Sequence, residues 1–287
     1  MKKFLKTTAA AAASVVTFAA CAPVNILNGI TPSGSFSKTT DVSFGALERQ
    51  KMDIYLAETS RDAAPVIVFI HGGSWDSGSK DIYKFLAEGF TKDGFDVVVP
   101  NYRLYPETSY PGFIEDNALA VAETIKRFPN RQVALMGHSA GGYNVLMLGL
   151  VPKYLQAAGV DRCSQIAGIA ALSAPVGIVP LNEEPLITIF PDRFTKADAP
   201  LNQVSGPAPK LFLVNGKDDK TVYPDNSVAL GEKIRARGGD AQVKIYDGMN
   251  HTDAVKVLSR RFEGGSELKA DLVAFFDGLP KQGGSCR

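Results

Sequence analysis

A serine flanked by glycines, Gly137-His138-Ser139-Ala140-Gly141, is the first place in this chain where residue types and spacing could do covalent chemistry. When such a segment ends a strand and opens a helix, the turn is too tight for side chains at the flanking positions, and the serine is pushed out to where a carbonyl carbon can reach it. The Ala140 N–H then faces the incoming carbonyl oxygen as a donor. A serine hydroxyl is a poor nucleophile at neutral pH and needs a base, most often histidine. The chain has three histidines. His138 adjoins the serine on a sharp turn and is expected to point elsewhere. His71 stands directly ahead of two glycines, which leaves His251, in Gly248-Met249-Asn250-His251, as the candidate base.

An acid must hold that imidazole in its working tautomer, and in the chain order that accompanies this elbow it falls between serine and histidine. Asp218 and Asp219, after a turn at Gly216, both qualify, and the residues alone do not choose between them. A fourth segment, His71-Gly72-Gly73-Ser74-Trp75, follows a β-branched run and is built of small residues that let backbone N–H groups approach a substrate oxygen. Fixed donors of this kind contribute about 3 kcal/mol each to the stabilisation of an oxyanion. His71 as a metal ligand fails for want of Cys, His or carboxylate partners at ligand spacing, and no cofactor or metal is implied.

These segments need a scaffold that brings loops to one edge. Residues 52–56 alternate as an edge strand would, while 66–70 and 97–99 are continuous β-branched runs suited to strands buried on both faces. Residues 80–92 read as a helix, Ile114, Ala118, Val121 and Ile125 share one helical stripe, and 140–150 is an apolar helix. Strands are expected at 132–136, 166–172, 210–214 and 242–246, with further helices at 228–234 and 268–276. The alternation predicts an α/β fold: a doubly wound, mostly parallel sheet with helices on both faces. Residues 177–209, rich in proline, break the rhythm as an excursion over the sheet edge with no large cap domain, which predicts a shallow, open pocket.

With 287 residues, 45% of them hydrophobic and 21% charged, the chain is long enough for one large domain. Removing residues 1–20, which hold three lysines and no acid, takes the net charge from +1 to −2, and a nearly neutral surface argues against nucleic acid as a partner. Lys2, Lys3 and Lys6 ahead of the uncharged run 7–20 form a secretory signal peptide pattern. Phe18-Ala19-Ala20-Cys21 resembles a bacterial lipobox, with Cys21 acylated as the mature N-terminus and phenylalanine where leucine is usual. The expectation is a signal peptide at 1–20, a tether at 21–40 and a catalytic domain at 41–287, exported to the bacterial cell envelope on a membrane lipid anchor, or else periplasmic or secreted in soluble form. Acylation of Cys21 would leave Cys163 and Cys286, which either pair in a disulfide or stand as a small buried residue and a free thiol.

Taken together, HGGSW at 71–75, Asn101-Tyr102-Arg103-Leu104 with Pro106, GHSAGG at 137–142 and Gly216-Lys217-Asp218-Asp219-Lys220-Thr221-Val222 resemble α/β-hydrolases of the carboxylesterase type. The nearest groups are hormone-sensitive-lipase-like, feruloyl-esterase-like and kynurenine-formamidase-like, and the match spans about residues 53–276. The resemblance implies Asp219 as the acid and places oxyanion donors at the Gly73 and Ser74 amides, joined by Ala140, although Ser74 replaces the third glycine of the lipase-like form. It implies structural roles for Tyr102 and Arg103. The expected function is hydrolysis of short- to medium-acyl carboxylic esters through an acyl-enzyme on Ser139, with esters decorating polysaccharides among the substrates. The rivals are an amidase, arylformamidase or peptidase using the same residues, and a non-catalytic lipoprotein that keeps the fold as a binding module.

Overall fold

The computed structural model describes residues 27–61, 63–177, 184–191, 194–281 and 284–286. Eight strands, β1 (Phe36–Ser43), β2 (Lys51–Ala57), β3 (Val66–Ile70), β4 (Val97–Pro100), β5 (Val133–His138), β6 (Ile166–Leu172), β7 (Lys210–Gly216) and β8 (Ala241–Tyr246), form one sheet in the order β1-β2-β4-β3-β5-β6-β7-β8. The β1/β2 and β2/β4 pairs are antiparallel and the others parallel. The main helices are α1 (Lys84–Thr91), α2 (Gly112–Arg127), α3 (Ala140–Leu150), α4 (Asp225–Ala236) and α5 (Leu268–Asp277).

The continuous apolar strands are explained by a core on each side of the sheet. Val66, Val68 and Ile70 of β3 point into the layer holding Ile114 and Val121 of α2, Leu146 and Leu150 of α3 and Leu230 of α4. Ile67 and Phe69 point into the layer holding Phe85, Leu86 and Phe90 of α1 and Leu272 and Phe276 of α5. Successive side chains of a strand face opposite ways, so a strand covered on both faces turns neither set of side chains to solvent. Fully burying one such Val, Ile or Phe stabilises the fold by about 2 kcal/mol.

Two expectations about the N-terminal half are corrected. The sheet edge is β1, not β2: Met52, Asp53, Ile54 and Tyr55 are all buried, and the polar member of the apparent alternation, Asp53, is a buried carboxylate held by Lys38 at 2.6 Å and Lys80 at 2.8 Å. Residues 27–40, expected within the tether, pack on the domain. Leu27 and Phe36 are buried, Lys84 Nζ donates to the Thr31 carbonyl at 2.6 Å, and β1 occupies the end of the segment expected as a tether. Most of β1 is polar and exposed, with its register broken near Asp41, as suits an edge that must not recruit another strand. The expected signal peptide, lipidation site Cys21 and residues 21–26 lie outside the described residues.

Residues 184–191 and 194–209 contain only short turns, Leu186–Ile189, Lys196–Asp198 and Pro200–Asn202, and no cap domain occurs among the described residues. Cys163 and Cys286 are joined in a disulfide, and the Ser285 N–H donates to the Cys163 carbonyl at 2.6 Å, so the C-terminal tail is tied to the residues just ahead of β6. No described helix is long and apolar enough to cross a membrane.

Candidate active site

The carboxyl ends of β3, β5, β7 and β8 deliver the four segments to one edge of the sheet, where ligands bind in open α/β folds. Ser139 joins β5 to α3 with φ 55° and ψ −121°, a conformation that costs a non-glycine residue free energy and persists only where the surroundings enforce it. They do: the Ser139 N–H donates to the Leu172 carbonyl at 2.9 Å, and its carbonyl accepts from the Tyr143 N–H at 3.0 Å. A Cβ at Gly137 would overlap the Gly141 carbonyl, and one at Gly141 the Ile70 carbonyl. Ser139 is half-buried, at the start of a helix whose other residues are buried.

Asp219 and His251 meet on loops that follow β7 and β8. The His251 Nδ1–H donates to Asp219 Oδ2 at 2.8 Å, and since a carboxylate can only accept, the neutral imidazole keeps its lone pair on Nε2, where a base must have it. Asp219 is fully buried, and its Oδ1 accepts from the N–H groups of Thr221 at 2.9 Å and Val222 at 2.8 Å. Burial pushes the Asp219 carboxyl up, but the bonds from His251 and the Val222 N–H outweigh it and hold the group below the usual carboxylate range. Asp218 is exposed and contributes its backbone N–H to the Met249 carbonyl at 3.0 Å. Its side chain is therefore not the one facing the imidazole.

The segment after β3 lies against the elbow: an ideal Cβ on Gly72 would stand 3.2 Å from Ser139 Cβ. Gly73 (φ 120°), Ser74 (φ 51°) and Trp75 (φ 61°) turn the chain in the left-handed region. The Gly73 carbonyl is drawn away into bonds from Asp76 N–H at 3.1 Å and Ser77 N–H at 2.9 Å. Among the described residues, no acceptor is paired with the N–H of Gly73, Ser74 or Ala140, the three expected oxyanion donors. The glycine at 73 is required twice over, because a Cβ would overlap the Ser77 carbonyl and the positive φ is strained for any other residue.

Several side chains outside the reacting groups hold this loop and the segment beneath it. Arg49 donates to the carbonyls of Tyr102 at 2.8 Å and Gly78 at 3.0 Å, Tyr102 Oη donates to the His71 carbonyl at 3.0 Å, and Trp75 Nε1 donates to Asn144 Oδ1 at 2.9 Å. Arg103 grips the buried Asp116 through Nε and Nη2, each at 2.8 Å. Tyr102 and Arg103 carried a signal through the Asn101–Leu104 motif and Trp75 through His71–Trp75, whereas Arg49, Asp116 and Asn144 carried none. His138 does not point away from the site as expected: its ring lies 4.7 Å from that of His251.

His71 and His138 are both buried, and burial, reinforced at His138 by the neighbouring His251, pushes them down to about 4 and about 3. An unfolded histidine protonates near pH 6.5, so between that value and the folded values the unfolded chain binds more protons and stability rises with pH. The contribution is complete above about pH 6.5 and declines as pH falls through the window, with the larger share from His138, whose folded value lies lower. The melting temperature is accordingly expected to fall steadily from pH 7 to pH 4.5, with a shallower slope in His138→Gln. A melting temperature flat across that interval would contradict this reading of the buried rings.

A mostly parallel sheet with an antiparallel start, a strained serine elbow after β5 and a carboxylate–imidazole pair beyond β7 and β8 define an α/β-hydrolase fold. Residues 52–234 match the BD-FAE family model, and the chain belongs to that family. It is 24% identical over 263 residues to a probable isoprenylcysteine alpha-carbonyl methylesterase of Arabidopsis thaliana, covering 81% of this chain and 54% of that relative, so it spans about half that protein's length. It is 21% identical over 227 residues to a kynurenine formamidase of Drosophila melanogaster, covering 72% of this chain and 73% of that one. A truncated carbohydrate esterase from gut microbiota shares the fold with a TM-score of 0.71 at 19% identity, over 86% of this chain and 98% of that one. Among the described residues no group of side chains could hold a metal ion.

Proposed function

We propose that this protein is a serine carboxylesterase. The observation that carries the proposal is the buried Asp219 paired at 2.8 Å with His251, on loops beside a serine forced into a strained elbow. Ser139 Oγ attacks the ester carbonyl carbon while His251 Nε2 takes its proton, and the oxyanion is received by the N–H groups of Gly73, Ser74 and Ala140. Collapse expels the alcohol, which leaves with the proton from His251. A water molecule then attacks the acyl-enzyme by the same route, and the carboxylic acid is released as Ser139 recovers its proton. Asp219 stabilises the imidazolium formed in each half.

Short- to medium-chain acyl groups suit the site, because Gly73 and Ser139 are half-buried, Ser74 is exposed and no cap covers them among the described residues. The likeness to a carbohydrate esterase supports polysaccharide-borne esters as the substrate class. A p-nitrophenyl ester series from acetate to palmitate, assayed on protein lacking residues 1–21, tests the reading: fast turnover of acetate and butyrate is expected, and preference for palmitate would refute the open pocket. The formamidase relative favours one second reading, cleavage of an arylformamide, which a folded protein inert toward every ester in the series but active on N-formyl substrates would establish.

Export and anchoring through Cys21 complete the proposal, supported by the basic and apolar N-terminal pattern and by the Cys163–Cys286 disulfide, a bond suited to an oxidising compartment. In a bacterial host Cys21→Ala should move the protein from the membrane to the soluble fraction. Retention in the membrane would remove the lipid anchor from the proposal.

A further inference from the structure

We infer that His138 is a positioning residue for the base, and that the hydrogen bond from its side chain to the His251 backbone fixes the loop carrying the imidazole to the strand carrying the nucleophile. The inference rests on the reading of Ser139 and His251 as the reacting pair. His138 Nε2 lies 2.9 Å from the His251 carbonyl oxygen. A carbonyl only accepts, so Nε2 bears the hydrogen, and the ring, held neutral by burial, donates in a single tautomer.

The base loop is tied on its other side by the Asp218 N–H to the Met249 carbonyl at 3.0 Å and by the Asp219 carboxylate on His251 Nδ1. Within itself it is closed by Asn250 Oδ1, which accepts from the N–H groups of Thr252 at 3.0 Å and Asp253 at 3.1 Å. None of these bonds reaches β5. Among the described residues, the His138 bond is the one hydrogen bond between residues 137–142 and the loop 247–252. The Asp219 bond sets how the imidazole is turned, whereas the His138 bond sets how far the loop stands from Ser139.

The His138 ring is also held in place itself. It packs at 4.7 Å against the His251 ring, and on its other side Nδ1 stands 3.3 Å from the position a Cβ on Gly72 would take, so the ring fills the space between the oxyanion loop and the base. A neutral neighbour also tolerates the imidazolium that His251 becomes in each half-reaction, which a charged one would oppose. The residue type that sequence alone dismissed as pointing elsewhere is thus the one whose length and donor reach the base loop from the elbow.

The test compares His138→Phe, which keeps a ring without a donor, with His138→Gln, whose amide N–H can take the place of Nε2–H. With p-nitrophenyl acetate, His138→Phe is expected to lose between about 10- and 100-fold in kcat with KM within about twofold of wild type, the cost of a misplaced catalytic group. His138→Gln should stay within about fivefold of wild type, on the same scale of misplacement. Amide hydrogen exchange in residues 248–253 should quicken in His138→Phe and not in His138→Gln, a readout that does not depend on turnover. If His138→Phe fails to fold, His138→Met replaces it as the donorless match to Gln. Wild-type kcat in the donorless variant, equal losses in the donor and donorless variants, or unchanged loop exchange would each overturn the inference. Failure of wild type to react with a fluorophosphonate would instead overturn the reading of the site, and the exchange experiment would still decide the role of His138.

Discussion

Ser139→Ala is expected to abolish ester turnover, lowering kcat by about a hundred-thousand-fold or more, while the protein still folds. The magnitude follows from the roles assigned: with no oxygen to attack, His251 has no proton to take and Asp219 no imidazolium to stabilise, so three groups fall silent together. What remains is the modest effect of the oxyanion donors and of binding. The fold should survive because the elbow is held by backbone bonds, from the Ser139 N–H to Leu172 and from Tyr143 to the Ser139 carbonyl, that alanine keeps. The melting temperature should therefore change little, corresponding to about 0.5 kcal/mol or less. Fluorophosphonate labelling, complete in wild type and absent in the variant, checks the assignment of the nucleophile. A labelled Ser139→Ala protein would place it elsewhere.

Asp219→Asn should cost about ten-thousand-fold in kcat, and Asp218→Asn less than about threefold. The local bonds decide how the asparagine must sit. Its carbonyl oxygen is claimed by the N–H groups of Thr221 and Val222, which now point at Oδ1, so the NH2 falls where Oδ2 faces His251 Nδ1. A donor there favours the tautomer with its hydrogen on Nε2, and an imidazole so protonated cannot take the proton of Ser139. Asp218 is exposed on the same turn and has no bond to the imidazole, so its charge can be removed with little consequence. Circular dichroism on both variants separates this from misfolding, and equal activity of the two would refute the assignment of Asp219.

Much of this was readable from the chain. Buried parallel strands announce themselves as unbroken runs such as Val66–Ile70 and Ile166–Leu172, because both faces are covered, and the elbow announces itself because its glycines have no substitute. The edge was not readable: β1 is mostly polar and exposed, and its strand character comes from pairing with β2 in space. The alternation of β2 was misleading for a related reason. A buried Asp53 reads as a solvent-facing residue until Lys38 and Lys80, distant in sequence, are brought against it.

What the sequence determined by itself was the α/β alternation, the serine elbow and the glycine-rich loop after β3, since each is written in residues adjacent along the chain. The residues alone left Asp218 and Asp219 tied and the family resemblance pointed to Asp219; the tertiary structure buries Asp219 against His251 and shows that His138 reaches across to the base loop. Those facts depend on which way a side chain points after a turn and on which loops the sheet brings side by side. Hydrogen bonds between segments more than a hundred residues apart, such as His138 to His251, leave no local trace in the order of amino acids.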